Sequence, residues 1–179
     1  MSAARPRPGW LRRFGRDTRA VAAAEMALVL PIVSLLSMNV VDLSTYMYCK
    51  MQVDLAAQQA AGVVRSLCTD PSKANCGSTY ASQMKTAAQS TTLGTGVSLV
   101  GSPTETYYCA DSTGTFQSGT GSNGKALKDC SKWVSGSTTA PGTYIAATVT
   151  YKFSPYFPGL SIAAYLKSTI QSTAWMRLQ

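Results

Sequence analysis

Residues 20–41 read AVAAAEMALVLPIVSLLSMNVV, 22 residues with a single charge, Glu25. Wound as a helix, such a run is about 33 Å long, against about 30 Å for the hydrocarbon core of a bilayer. A run of this kind either crosses a membrane or lies inside a protein core. The residues before it favour the membrane. Residues 1–19 hold six arginines (Arg5, Arg7, Arg12, Arg13, Arg16 and Arg19) against Asp17 alone, a net +5. The whole chain carries +8, so the other 160 of its 179 residues carry only +3. A core helix leaves that arginine cluster unexplained. A membrane span explains it, because Lys and Arg flanking a span stay in the cytoplasm. The expected topology is single-pass, with a cytoplasmic basic leader (1–19), a span (20–41) and everything beyond it outside.

Cleaved export signals fit less well. A secretory signal has small residues in an A-x-A-like pattern after its apolar stretch. Ser37-Met38-Asn39-Val40-Val41-Asp42 does not supply them. A lipoprotein signal sets small residues before a cysteine, yet Tyr46-Met47-Tyr48 precede Cys49. Arg12-Arg13 resembles a twin-arginine signal only loosely. The small residues instead precede the apolar core, at 20–24, which points to a different kind of processing.

Composition removes several function classes. The chain has no histidine, so it lacks the commonest general base and metal ligand. Charged residues make up 13% of it, about half the usual share, which leaves little for a basic docking face. A nucleic-acid-binding domain spreads Lys and Arg over a folded face with aromatics among them; here they crowd into one arm, and no nucleic-acid partner is expected. Residues 119–125, GTGSNGK, come close to a phosphate-binding loop. The next residue is Ala126, where Mg²⁺ binding needs Ser or Thr, and no apolar strand leads in. The segment reads as a flexible surface loop. No carboxylate pair suggests acid–base work. The expectation is a non-enzymatic protein without cofactor or metal.

Beyond the span the helix should continue over 42–68. From 42 to 67 there is no proline, and Gly62 is the only glycine. Val53, Ala56, Ala57, Ala60, Val64 and Leu67 fall at helical spacing on one stripe, to pack on the chain's own sheet and compatible with packing on neighbouring subunits. Pro31 should interrupt and kink the helix within the membrane. Asp70-Pro71-Ser72 should end it. Residues 78–90 suggest a short second helix. Later the texture turns to Ser, Thr, Gly and β-branched residues, with strands expected at 96–100, 104–110, 144–153 and 169–178. In the third, Ile145, Ala147, Val149 and Tyr151 alternate onto one face. Residues 112–124 form a Gly- and Ser-rich excursion. A loop with two prolines (154–159) and a short apolar piece (160–166) precede the last strand. The fold class expected is α+β: a long amino-terminal transmembrane helix continuing into an ectodomain (69–179), a short second helix and an antiparallel sheet of about four strands.

All five cysteines follow the span, on the oxidising side under this topology. Local pairing gives Cys68 with Cys76 and Cys109 with Cys130, although four cysteines allow three connectivities. No C-x-x-C and no histidine are present to build a metal or redox site. Cys49 is left over, either a buried thiol or a bridge between two subunits.

Glu25 stands out because a carboxylate in an apolar segment costs several kcal/mol unless it is paired or near the interface. It either reaches the headgroups or meets a cation within an assembly. Residues 20–31, AVAAAEMALVLP, resemble the amino-terminal motif of TadE-like pseudopilins, the minor pilins of tight-adherence (Flp-type) pili, whose pattern is similar to G-x-A-A-V-E-F-A-L-V-L-P. Asp42-Leu43-Ser44-Thr45-Tyr46 and residues 52–62 resemble the family's helical continuation, and residues 151–160 its Pro-Gly-Leu tail. The resemblance covers about 18–67. It implies a pilin-like fold, inner-membrane insertion and a periplasmic domain. It also implies a prepilin peptidase cutting between Ala20 and Val21, with Glu25 as fifth mature residue pairing with a neighbouring subunit's free amino group. The partners implied are other pilins or pseudopilins and the inner-membrane assembly platform, with a place in an extracellular pilus for the cut chain. Where the family has glycine before the cut, this chain has Ala20, and Met26 replaces the aromatic. An uncut chain would instead stay a bitopic membrane protein whose periplasmic domain binds a ligand or cell-wall partner.

Overall fold

The computed structural model describes residues 18–68 and 75–178, with side chains from Val21 onward. Most of the arginine arm and the Asp70-Pro71-Ser72 stop lie outside the described residues. A single helix, α1, runs Thr18–Leu67. It is not broken at Pro31, although Pro31 cannot donate to the carbonyl one turn earlier. Two short helices follow, α2 (Cys76–Thr79) and α3 (Ala81–Ala88), where one was expected over 78–90. They part at Tyr80, whose φ of −104° and ψ of 17° lie off the helical values.

Five strands make one antiparallel sheet: β1 (Val97–Leu99), β2 (Glu105–Ala110), β3 (Phe116–Ser118), β4 (Gly142–Lys152) and β5 (Thr169–Arg177). The sheet hangs on β4. One side of β4 pairs with β5 from Tyr144↔Arg177 to Lys152↔Thr169. The other side takes β1 at Val149–Tyr151 and β2 at Gly142–Ile145. β1 and β2 are thus one strand line interrupted by residues 100–104. β3 was not expected; it folds the start of the Gly- and Ser-rich excursion back onto β2, pairing Tyr108 with Ser118.

The helices cover one sheet face, the arrangement of an α+β domain. Ile145, Ala147 and Val149 point inward at 0% exposure, meeting Val53, Ala56, Ala57, Ala60, Ala61 and Val64 of α1 and Met84 and Ala88 of α3. Four alanines in that stripe occupy little volume, so the helix backbone can lie close to the sheet. Leu67, expected on the stripe, is exposed instead. The face turns at that end, and Cys68 takes the buried place.

Gly77 shows how tightly the interruption in the β1–β2 line packs. A Cβ there would collide with the Pro103 carbonyl oxygen and press on Ile145 Cδ1. The carbonyl of the inserted segment therefore occupies the space a side chain would need.

Candidate functional site

α1 has two halves with different surroundings. From 21 to 37 every side chain is exposed. This half is apolar, and α1 is long and apolar enough to cross a membrane. Val21 begins it, directly after the Ala20–Val21 bond in the first turns of α1, and Glu25 lies exposed one turn further on. From 42 onward the same helix forms the wall of the folded domain's core.

The change occurs at Asn39 and Asp42, which sit three residues apart on one helix face. Asp42 has 0% exposure. Its Oδ1 accepts from the Tyr156 backbone N–H at 2.9 Å and its Oδ2 from that of Phe157 at 3.2 Å. Asn39 Oδ1 accepts from the Ile162 N–H at 2.8 Å, and Asn39 Nδ2 donates to the Leu160 carbonyl at 3.4 Å. The loop with two prolines and the apolar piece after it are therefore strapped to the helix where its apolar run ends. One turn on, Tyr46 meets Phe153 edge to face at 5.1 Å. Sequence reasoning missed this pair of anchors. A signal was present: extending the apolar stripe back from Val53 and Cys49 lands on Asp42, so its carboxylate had to face the core.

Cys68 pairs with Cys76, and Cys109 with Cys130, as local spacing suggested. The first bridge joins the end of α1 to α2, whose Cys76 N–H donates to Glu105 Oε1 at 2.6 Å. The second ties β2 to the far end of the excursion. Cys49 is a free thiol at 5% exposure. Burial pushes it up from its ordinary pKa, and a hydrogen bond to Tyr151 opposes this less strongly. A thiol so placed yields little thiolate and resists reaction.

Residues 119–125 close as a turn, with the Gly121 N–H bonded to the Lys125 carbonyl, and Thr120 bridges Ala126. No helix follows, so nothing there presents backbone N–H groups to a phosphate as a phosphate-binding loop does. Asp111 organises the β2–β3 turn. The Thr113 hydroxyl, then the Thr115 N–H, hold its carboxyl down to about 2. Among the described residues, no three His, Cys, Asp or Glu side chains cluster as metal ligands would.

On the outer sheet face Tyr108 meets Tyr144, Trp175 and Phe116 edge to face at 5.6, 5.6 and 6.5 Å. These four rings line an open hollow of about 370 Å³.

Residues 20–62 match the family of TadE-like proteins. No curated protein and no solved structure matches the chain significantly. The matched segment holds the free apolar half of α1, both anchors and most of the buried stripe. Over residues 20–62 the chain is therefore similar to TadE-like proteins.

Proposed function

We propose that the chain is a pseudopilin-like structural component of tight-adherence pilus assembly, inserted in the bacterial inner membrane with its amino terminus cytoplasmic and its folded domain periplasmic. It carries out no reaction of its own. A prepilin peptidase removes the arginine arm between Ala20 and Val21, and Glu25 then pairs with the new amino group of a neighbouring subunit. The partners are other pilins or pseudopilins and the inner-membrane assembly platform. The observation that carries this reading is the division of α1. Its 21–37 half, with Glu25, is exposed throughout, while the same helix is built into the folded domain from Asp42 onward. A free apolar half with one acid is suited to exchanging lipid for neighbouring helices, since a carboxylate costs least in such surroundings when paired.

Amino-terminal sequencing from the native host tests processing. A mature start at Val21 is expected, and an arginine arm that is never removed counts against it. In Glu25→Ala, membrane insertion should survive and assembly should fail; normal piliation in that variant removes the pairing role.

A second reading has its own support. The aromatic hollow of Tyr108, Phe116, Tyr144 and Trp175 could hold a ligand or cell-wall partner on an uncut, permanently anchored chain. Trp175→Ala that assembles pili normally but loses binding to isolated cell wall would favour it.

A further inference from the structure

The segment 154–167 combines four observations. It is strapped by backbone hydrogen bonds to Asn39 and Asp42. Asn39 lies only about 3 Å along the helix from the end of the apolar run at Val41. Its apolar side chains face out, with Tyr156 70%, Leu160 58%, Ile162 59% and Tyr165 91% exposed. Its charge is also one-sided: residues 152–167 include Lys152 and Lys167 and no acid.

We propose that this segment is a membrane foot, entering the headgroup–acyl boundary of the bilayer that α1 crosses. The inference rests on reading 20–41 as the span. The occupant is a lipid surface because of where the loop is held. The helix leaves the hydrocarbon at about Val41, and the two anchors fix the loop's backbone beside that exit. Apolar side chains splayed at that depth meet lipid before they meet water. Tyr rings suit the boundary, with an apolar body and a hydroxyl that stays hydrated. The two lysines lie within reach of lipid phosphates, with no carboxylate in the segment to oppose them. The anchors have a purpose in this setting. A loop at the interface needs its buried N–H groups satisfied by protein, and Asp42 and Asn39 accept three of them. The foot holds the ectodomain at a fixed height and tilt on the membrane, so the domain does not swing about the helix.

The test places a nitroxide on the full-length chain in vesicles of phosphatidylethanolamine and phosphatidylglycerol, through Tyr165→Cys, Val33→Cys or Ser112→Cys. Tyr165 and Ser112 are exposed in the fold, and Ser112 sits in the β2–β3 turn, beyond the end of β4 opposite the one that leads into the 154–167 segment. The parent chain gives the background from Cys49. Collisions are measured with oxygen, which concentrates among acyl chains, and with a nickel chelate confined to water. The label at 33 should report the bilayer core and that at 112 water. The label at 165 should fall between them, at the depth of interfacial segments, about 5–10 Å into the boundary. A label at 165 as aqueous as that at 112, with 33 in the core, overturns the foot and leaves the span intact. A label at 165 shielded from both colliders overturns it in favour of a second copy covering the loop. An aqueous label at 33 removes the span, and the foot with it.

Discussion

At the scale of single residues, Asp42 ties the loop after β4 to α1, a role distinct from the intersubunit pairing expected of Glu25. Both are acids in or beside one apolar run, and among the described residues Asp42 is the one of the two with hydrogen-bond partners. Asp42→Ala leaves the Tyr156 and Phe157 N–H groups without an acceptor. The loss should be about 1.5–3 kcal/mol, the range for hydrogen bonds to charged groups. Asp42→Asn keeps one acceptor oxygen and should fall between. Urea unfolding of the detergent-solubilised chain measures the loss, and faster hydrogen exchange at Tyr156 and Phe157 locates it. Cys49 gives a second expectation at this scale. Buried against Tyr151, it should resist alkylation in the folded protein, react fully once unfolded, and leave parent and Cys49→Ser as equal monomer bands without reductant. A dimer band in the parent alone would restore the intersubunit bridge. Asp42's role was hard to read because its partners lie 114 and 115 residues away. An acid closing an apolar run reads locally as a solvated end, and only its register with Cys49 and Val53 says otherwise.

At the scale of elements, what repeated over many residues was legible and what depended on a few was not. α1 declared itself through length, missing helix breakers and a stripe of small apolar residues. β4 declared itself through Ile145, Ala147 and Val149. β3 is three residues long, and its pairing with β2 depends on a turn built by Asp111, which no periodicity marks. The split of β1 from β2 was visible as a break at Gly101 and Pro103, but its purpose lies in α2, where Gly77 receives the Pro103 carbonyl. Gly77→Ala must push that carbonyl away, and should cost about 1–3 kcal/mol, as overpacked sites do. The loss would appear as a lower urea midpoint at unchanged slope. The β2–β3 turn should respond to acid. Asp111 is held down to about 2 from an ordinary value of 3.8, so its contribution is fully present above the unfolded value and is lost as pH falls through about 2. Amide shifts of Thr113 and Thr115, followed through that window, should move together with a midpoint near the lower value; a midpoint near 3.8 would mean the turn does not hold the carboxylate. The bridge Cys109–Cys130 encloses the same excursion, and replacing both cysteines by serine should remove about 3 kcal/mol in the chain-entropy view.

At the scale of the whole molecule, α1 is shared between two structures. The folded domain holds it from Asn39 onward. The half before that is exposed, and under the proposed function it belongs to the bilayer or to an assembly. This division predicts where the chain can be shortened. A chain beginning at Met38 keeps both anchors and the whole buried stripe, so it should fold in solution with both disulfides formed and unfold in one cooperative step. A chain beginning at Thr45 keeps Cys49, Val53 and the alanines but loses Asn39 and Asp42. The sheet should still form around β4, because its helix contacts lie at 49–64. The loop 154–166 should come loose, since three of its backbone N–H groups lose their acceptors. Its amides should then exchange rapidly while those of β4 and β5 stay protected. Equal protection of the loop in both chains would mean that Tyr46, Phe153 and the prolines hold it unaided. If the shorter chain failed to form the sheet, the anchors would be needed for the folded domain to form at all.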